Sequence, residues 1–263
     1  MTSVTRTTEN QIAFRTSGEG PTTLVLMHGW AGSGDYFEQL IEHLDPELVY
    51  CVSPDLPGHG SSGPAAGPYS LDLIAHGIIA AVDAAQADTF VLLGFSMSAK
   101  FAQYVTVRHP DRVLGQILVA GCPTGALPLP GDLIDDWCSR AGDADRLLDV
   151  IRSCATQPIS APVLEPVGRD AARVSEKVLR ETIALCTGSP FEDEVAGSLV
   201  PTLVVGGSDD WLFPPDGLQQ GVVDPLARAR LEILECGHEI PLEAPRELAN
   251  LVSQFISQFA VTG

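Results

Sequence analysis

Lysine is scarce in this sequence. Of 263 residues only two are lysines, Lys100 and Lys177, and Lys and Arg together number 15 against 34 Asp and Glu. The formal net charge of −19 creates a field that repels phosphate backbones and anionic lipid headgroups. We therefore expect neither nucleic acid nor a membrane surface as a partner.

The sequence also lacks the features that mark membrane, secreted and metal-binding chains. No unbroken apolar run approaches the roughly 20 residues of a membrane span. The segment from Met1 to Asn10 is polar, without the apolar core of a secretory signal. Six cysteines are scattered without CxxC or metal-ligand spacing, which favours reduced thiols acting as small apolar side chains. These absences predict a cytoplasmic protein with no metal site.

What is present is a large apolar fraction arranged in short runs. Hydrophobic residues make up 45% of the chain, and a chain of this length can fold as one large domain without disulfides or metals. Short Val-, Leu- and Ile-rich runs alternate with longer helical stretches, which predicts an α/β fold with a mostly parallel sheet and helices on both faces. The predicted strands are 23–27, 48–52, 89–93, 113–119, 201–205 and 230–234, and the predicted helices are 36–43, 71–86, 97–109 and 245–259.

This alternation breaks between residues 126 and 196. A proline-rich turn opens the segment, and helical patterns follow at about 132–141, 143–155 and 168–186 with no strand among them. A helical insertion in an open sheet is expected over the carboxyl ends of the strands, where such sheets bind ligands. The sequence thus predicts a core of residues 1–125 and 197–263 and a helical cap, or lid, of residues 126–196. The alternative is an ordinary run of packing helices.

The segment Gly94-Phe95-Ser96-Met97-Ser98 follows an apolar strand and directly precedes a predicted helix. A serine on a tight strand-to-helix turn exposes its hydroxyl at the sheet edge, and the residues two before and two after it must be small. Gly94 and Ser98 are small. The Met97 backbone N–H falls in the first helical turn, where it lacks an intrahelical partner and can bind an oxyanion. Ser96 is therefore a predicted nucleophile, with a helix-capping serine as the alternative.

A serine nucleophile needs a base, usually a histidine that a carboxylate orients. His238 is the best placed of the six histidines, because it follows the last predicted strand on a glycine loop. It should therefore lie at the same sheet edge as Ser96. Asp209 and Asp210 directly follow another predicted strand, so either one could orient His238.

The glycine-rich loop that follows the first predicted strand completes the pattern. It contains His28-Gly29-Trp30, and the Trp30 backbone N–H is positioned to be the second oxyanion donor. Four glycine-marked loops at four strand ends, with Ser, Asp and His in that order, are far less expected by chance than any one alone.

Together these motifs make the sequence resemble the α/β-hydrolase superfamily over nearly the whole chain. The matching segments are His28-Gly29-Trp30, Asp55–Ser62, Gly94–Ser98, Gly207–Pro214 with the G-x-x-D-x-x-x-P pattern, and Gly237–Pro245 with the G-H-x-x-x-x-E-x-P pattern. The resemblance implies an eight-stranded core with the cap inserted after the sixth strand. It also implies a catalytic triad of Ser96, Asp210 and His238, and an oxyanion hole made by the backbone N–H groups of Trp30 and Met97.

Within the superfamily, the chain is similar to small esterases and to the cofactor-free haloperoxidase (perhydrolase) group. This similarity implies a small-molecule substrate, an ester or lactone cleaved through an acyl-enzyme without cofactor or metal. Trp30 and Trp137 are expected to contact the substrate.

Two alternatives stay open. One is a carbon–carbon hydrolase or lyase that resembles the menaquinone-pathway synthase and uses the same triad. The other is a ligand-binding hydrolase-receptor with slow turnover, because the G-x-S-x-S turn created by Ser98 is similar to the turn in such proteins. Lys100 stands where the synthase has an arginine, and we expect its stem to pack along its helix with the charge in solvent.

Overall fold

The computed structural model describes residues 4–7, 12–65 and 67–259. Its strands form an eight-stranded sheet with the spatial order β1-β2-β4-β3-β5-β6-β7-β8. They are β1 (Thr5–Arg6), β2 (Ala13–Ser17), β3 (Thr22–Met27), β4 (Val49–Pro54), β5 (Phe90–Phe95), β6 (Val113–Val119), β7 (Thr202–Gly207) and β8 (Ala229–Leu234). Strands β3 to β8 are mutually parallel, whereas β2 pairs antiparallel with both β1 and β4. The predicted α/β fold with a mostly parallel sheet is confirmed.

The two antiparallel strands at the edge were not predicted. The sequence of β2 is AFRTS, and only Ala13 and Phe14 are fully buried while the three polar residues are half-buried. An edge strand of this kind lacks the continuous apolar run that marks a strand covered on both faces. The six predicted strands all occur, with ends shifted by at most two residues.

Eleven α-helices occur in the described part of the chain. They are α1 (Glu38–Ile41), α2 (Leu71–Ala84), α3 (Met97–Arg108), α4 (Gly131–Cys138), α5 (Ala144–Cys154), α6 (Ala161–Ala171), α7 (Glu176–Gly188), α8 (Glu192–Val195), α9 (Pro215–Leu218), α10 (Ile240–Glu243) and α11 (Pro245–Ser257). A 3-10 turn, Gly34–Phe37, leads into α1, and a π turn, Gln219–Val223, follows α9. No helix in the described ranges is both long and apolar enough to cross a membrane.

The sheet separates two apolar clusters, because successive side chains of a strand point to opposite faces. Along β3, Leu24 packs in the cluster that includes Leu40 of α1 and Leu248 of α11, whereas Val25 packs in the cluster that includes residues of α2 and α3. Helices α1 and α11 therefore cover one face and α2 and α3 the other. All the strand ends that carry the predicted functional residues meet at one edge, since β3, β5, β7 and β8 are parallel.

Between β6 and β7 the chain forms helices α4 to α8. The prediction of one helix over residues 168–186 is wrong, because the chain there forms the end of α6 and, after a break, α7. Ser175 is extended and its hydroxyl accepts a hydrogen bond from the Val178 backbone N–H, so it caps α7 instead of continuing α6. Helix α6 begins earlier than predicted, with Pro162 in its first turn, where a missing N–H carries no cost.

Candidate active site

Ser96 occupies the turn between β5 and α3. Its backbone adopts φ 54° and ψ −118°, a sparsely populated conformation for a residue other than glycine. A Cβ at position 94 would lie 2.4 Å from the Ser98 carbonyl oxygen, so only glycine fits there. The Ser98 hydroxyl donates to the carbonyl oxygen of His28, which links this turn to the loop after β3. The surroundings thus hold the Ser96 hydroxyl at the carboxyl edge of the sheet.

His238 follows β8 and Asp210 follows β7. The Nε2 atom of His238 lies 2.9 Å from the Oγ atom of Ser96, and its Nδ1 atom lies 2.8 Å from Oδ2 of Asp210. The other oxygen of Asp210 accepts the backbone N–H groups of Leu212 at 2.8 Å and Phe213 at 3.0 Å. All three side chains are buried. The structure therefore brings the three sequence-predicted residues into one hydrogen-bonded chain, which we call the Ser–His–Asp chain.

The neighbouring carboxylate stands outside this chain. Asp209 is exposed, and its side chain accepts a hydrogen bond from the Ser208 hydroxyl at 3.1 Å. Of the two adjacent aspartates, Asp210 is therefore the one that contacts His238.

Charge within the Ser–His–Asp chain favours an ionised Asp210. Burial lowers the pKa of His238, but the hydrogen bond and charge of Asp210, together with the charges of Glu239 and Glu243, outweigh burial and hold this pKa above its usual 6.5. Burial raises the pKa of Asp210, yet its hydrogen bonds and the His238 charge keep that pKa below its usual 3.8. An ionised Asp210 accepts a hydrogen bond from the Nδ1–H group of neutral His238. This fixes the tautomer in which Nε2 carries no hydrogen and can accept the proton of Ser96.

Two backbone N–H groups near Ser96 are available to an oxyanion. In the described part of the chain, the N–H groups of Trp30 and Met97 donate to no acceptor. Met97 opens α3, where first-turn N–H groups lack helical partners. The loop that carries Trp30 lies close to Phe95, the residue before Ser96. This approach requires glycine at position 29, because a Cβ there would lie 2.9 Å from the Phe95 ring. These are the two donors that the sequence predicts for an oxyanion hole.

The Ser–His–Asp chain borders a small cavity of about 50 Å³. Its lining consists of Trp30, Tyr36, Phe95, Ser96, Trp137, Val150, Ile151, Cys154, Leu212, His238 and Glu239. Trp137 belongs to α4, and Val150, Ile151 and Cys154 belong to α5. The insertion therefore forms part of the cavity wall. Since a single water needs roughly 10–15 Å³ by the same measure, the space matches a group of only a few heavy atoms.

The three tryptophans of the chain form a row beside this cavity. The rings of Trp30 and Trp137 lie 5.7 Å apart, and those of Trp137 and Trp211 lie 6.5 Å apart. The Trp30 indole donates to the Leu179 carbonyl oxygen at 3.0 Å, and the Trp211 indole donates to the Ser153 carbonyl oxygen at 3.1 Å. This tryptophan row joins two loops of the core to helices of the insertion. Trp30 and Trp137, the predicted substrate contacts, both line the cavity.

A sequence model of the alpha/beta hydrolase family matches residues 24–251 of the chain. The chain belongs to this family. The resemblance found from the motifs is thereby confirmed. This hydrolase is similar to the pimeloyl-(acyl-carrier protein) methyl ester esterase of Klebsiella pneumoniae strain 342, with 30% identity over 199 residues, which span 72% of this chain and 70% of the relative.

Solved structures show the same fold at lower sequence identity. An esterase, EaEST, from Exiguobacterium antarcticum superimposes with a TM-score of 0.84 at 18% identity, over 98% of this chain and 100% of that one. A bromoperoxidase from Bacillus anthracis also gives a TM-score of 0.84, at 17% identity and with the same coverage of both chains. At these identities the likeness shows the fold alone.

The expectation for Lys100 is wrong. Its side chain is fully buried, and its Nζ atom donates to the carbonyl oxygens of Gly125 at 2.9 Å and Cys186 at 2.8 Å. Cys186 lies in the last turn of α7, where carbonyl groups lack helical partners and can receive the ammonium. Burial lowers the pKa of Lys100. The ammonium thus connects α3, the helix that follows Ser96, to the residue before the insertion and to the last turn of α7.

Glu243 is a positioning residue that the sequence marked only as part of a motif. Its carboxylate accepts the backbone N–H groups of Gly237 at 3.0 Å and Glu239 at 2.8 Å, on either side of His238. It also accepts the N–H groups of Thr156 and Gln157, both at 2.7 Å, just after α5. One half-buried carboxylate therefore fixes the histidine loop and connects it to the insertion.

Cysteines and metal-binding side chains form no further centre in the residues that the structure describes. All six cysteines are buried free thiols, and Cys122 and Cys186 lie with their sulfur atoms 2.8 Å apart. No group of three or more His, Cys, Asp or Glu side chains in residues 4–7, 12–65 and 67–259 is arranged to hold a metal ion.

Proposed function

We propose that this hydrolase cleaves a small ester or lactone through an acyl-enzyme on Ser96. The observation that carries the proposal is the Ser–His–Asp chain, with its 2.9 Å and 2.8 Å contacts, at the wall of a cavity. The methyl ester esterase activity in the name of the K. pneumoniae relative supports an ester as the substrate class.

In the first step the Ser96 oxygen attacks the ester carbonyl carbon while Nε2 of His238 takes the serine proton. Ionised Asp210 stabilises the imidazolium that forms. The carbonyl oxygen becomes an oxyanion, which the N–H groups of Trp30 and Met97 stabilise by hydrogen bonds. The bond to the alcohol oxygen then breaks, and His238 gives its proton to that oxygen as the alcohol leaves.

The second half of the cycle repeats these proton transfers with water. A water molecule attacks the acyl-enzyme carbonyl carbon, and His238 takes one of its protons. Collapse of the second tetrahedral intermediate breaks the bond to the Ser96 oxygen, which recovers its proton from His238. The products are the carboxylic acid and the free enzyme. No step requires a metal or a cofactor.

Residues 126–196 act in this proposal as a cap that selects the substrate. Trp137, Val150 and Ile151 border the cavity opposite the core residues, and the small volume supports a short acyl group. Since the cap supplies apolar surface and no group of the Ser–His–Asp chain, it is expected to govern which substrate fits and not whether the reaction occurs.

The carbon–carbon alternative is not favoured. Where the menaquinone-pathway synthase is expected to use an arginine, this chain has Lys100, and its ammonium is already engaged by two carbonyl oxygens. A second substrate-binding arginine, which a resemblance to that synthase would imply just after the sixth strand, has no counterpart in the segment 121–124, Gly-Cys-Pro-Thr. The receptor alternative differs in its kinetics, because a receptor would turn over slowly.

The proposal is tested by labelling with a fluorophosphonate and measuring the intact mass. We expect one adduct, located on Ser96, and none in Ser96→Ala. Ser98→Gly, which restores the usual second glycine of the turn, is the matched control and should still be labelled. Rapid multiple turnover of p-nitrophenyl acetate is expected from the wild type. Labelling that persists in Ser96→Ala would contradict the proposal, and a single slow turnover would favour the receptor.

A further inference from the structure

A second polar pair lies beside the Ser–His–Asp chain and takes no part in the proposed steps. Tyr36, in the 3-10 turn before α1, donates its phenolic hydrogen to Oε2 of Glu239. Both residues line the same cavity as Ser96 and His238, and each is only 5% exposed. The lining is otherwise mostly apolar, so this pair is conspicuous as polar surface without an assigned role.

The pair is held by the supports of the site itself. The Tyr36 ring stacks on the Phe95 ring with centroids 5.4 Å apart, and the Phe95 ring lies 5.4 Å from that of His238. Glu239 directly follows His238, and its backbone N–H donates to Glu243. The position of the pair relative to the nucleophile is therefore fixed by packing and by backbone hydrogen bonds.

One carboxyl oxygen of this pair is free to bind a ligand. The Oε1 atom of Glu239 accepts no hydrogen bond from the residues that the structure describes. It is accessible to solvent, because among those residues the one fully buried side-chain polar atom without a partner is Nε2 of His59. Water can reach this oxygen, and a ligand that enters the cavity displaces that water. Because a carboxyl oxygen buried without a partner is unfavourable, a ligand that hydrogen-bonds to Oε1 fits the cavity better than an apolar one.

The charge state of Glu239 limits which group fits. Burial raises its pKa to about 7, a shift that His238 and the Tyr36 hydrogen bond oppose and that Glu243 and Asp210 assist. Near neutral pH the side chain therefore exists both as a carboxylate, which only accepts hydrogen bonds, and as an acid, which also donates. A hydroxyl group suits both forms, whereas an ammonium suits only the carboxylate and a carboxylate suits only the acid.

We propose that Tyr36 and Glu239 form a subsite for a hydroxyl group of the substrate, so that esters or lactones with a hydroxyl near the scissile carbonyl are preferred. The inference rests on the proposed ester hydrolysis. In this proposal Tyr36 and Glu239 are specificity-determining residues, because they contact a hydroxyl group that takes no part in the bond cleavage.

The test compares kcat/KM for methyl 3-hydroxybutyrate and methyl butyrate at pH 6, 7 and 8. The wild type should prefer the hydroxylated ester roughly five- to tenfold at each pH, the size of one net hydrogen bond. Glu239→Leu should lose the preference, Tyr36→Phe should weaken it, and Glu239→Gln, which keeps a donor and an acceptor, should retain most of it. Because both esters use the same Ser–His–Asp chain, their ratio is insensitive to a general loss of activity.

Tyr104→Phe is the matched control. Its hydroxyl also donates to a carboxylate, that of Asp72, but it lies outside the cavity, so the ratio should not change. Retained fluorophosphonate labelling of Ser96 shows that each variant is folded. A ratio near one in the wild type, or a ratio that Glu239→Leu leaves unchanged, would overturn the subsite.

Charged esters sharpen the test further. Methyl 3-aminopropanoate and monomethyl succinate should both be poorer substrates than methyl 3-hydroxybutyrate, and either one exceeding it would overturn the hydroxyl assignment. If no ester is hydrolysed and Ser96 is unlabelled, the proposed function itself fails and the subsite falls with it. If esters are hydrolysed through Ser96 without a hydroxyl preference, only the subsite fails.

Discussion

The cavity has two walls that are built in different ways. On the core wall, Ser96 and His238 are joined by hydrogen bonds to each other and to Asp210 behind them, and each of the three follows a different strand of one sheet. On the insertion wall, helices α4 and α5 present mainly apolar side chains such as Trp137 and Val150. Substitution of one member of the hydrogen-bonded chain interrupts proton transfer, whereas substitution of an apolar wall residue changes the shape of the cavity. We therefore expect core substitutions to slow every substrate and insertion substitutions to reorder them.

The largest effect should come from Asp210→Asn on the core wall. The amide can donate its hydrogen to His238 and so favours the wrong tautomer, which leaves no base for Ser96. We expect kcat/KM to fall by about 10³- to 10⁴-fold for all substrates alike. Asp209→Asn is the matched control, since this exposed neighbour does not contact His238, and its activity should stay within about twofold. A reversed order of the two variants would contradict the assignment of Asp210.

The next effect is pH dependence, which also belongs to the core wall. His238 must be neutral to accept the serine proton, and Asp210 holds its pKa above 6.5. We therefore expect kcat/KM to rise with pH through an ionisation above 6.5 and to lose about tenfold per pH unit below it. The profile should be the same for esters of different acyl length.

Glu239→Gln offers a check on this pH profile. The negative charge of Glu239 helps to raise the pKa of His238, so its removal should move the rising limb to lower pH. A profile that moves to higher pH, or one that differs between substrates, would show that another group controls activity.

The third prediction concerns Glu243, which connects the two walls. Glu243→Gln weakens a charged acceptor that serves four backbone N–H groups. We expect the free energy of unfolding to fall by about 1–3 kcal/mol in urea denaturation followed by circular dichroism. Glu247→Gln, at an exposed position of α11, is the control and should change it by less than about 0.5 kcal/mol. Equal stability of the two variants would contradict the role of Glu243.

The smallest effect is expected from Trp137→Ala on the insertion wall. Removing the indole enlarges the cavity, so p-nitrophenyl octanoate should gain about tenfold in kcat/KM relative to p-nitrophenyl acetate, which matches the usual size of such pocket contacts. Trp137→Phe should change the ratio less. A parallel fall for both esters would mean that Trp137 supports the core wall and does not select the acyl group.

Much of the core wall could be predicted because its signals are local. The turn at Ser96 needs small neighbours, and Gly94 cannot accept a Cβ beside the Ser98 carbonyl oxygen, so the motif is visible in the sequence. Parallel apolar runs then place the loops of Asp210 and His238 at the same edge. The motifs do not contain the balance of charge and burial, in which Asp210, Glu239 and Glu243 together raise the pKa of His238 more than burial lowers it.

The interactions of the insertion could not be predicted in this way, because they join residues far apart in the chain. Lys100 has an ordinary helical context, and nothing near it indicates that the Cys186 carbonyl oxygen will receive its ammonium. Tyr36 and Glu239 are separated by about two hundred positions and meet only in the folded protein. The break between α6 and α7 at Ser175 had a local signal, a capping serine, that the helical pattern around it obscured.

The tryptophan row also has an optical consequence. The chain has three tryptophans, and all three lie beside the cavity with neighbouring rings 5.7 Å and 6.5 Å apart. When one indole absorbs ultraviolet light, its excitation energy can transfer to the next indole over such distances. Trp137 is only 8% exposed and Trp211 is 51% exposed, so the emission colour depends on where that excitation ends. The intrinsic fluorescence of this hydrolase should therefore report occupancy of the cavity, and an unlabelled sample can show ligand binding in real time.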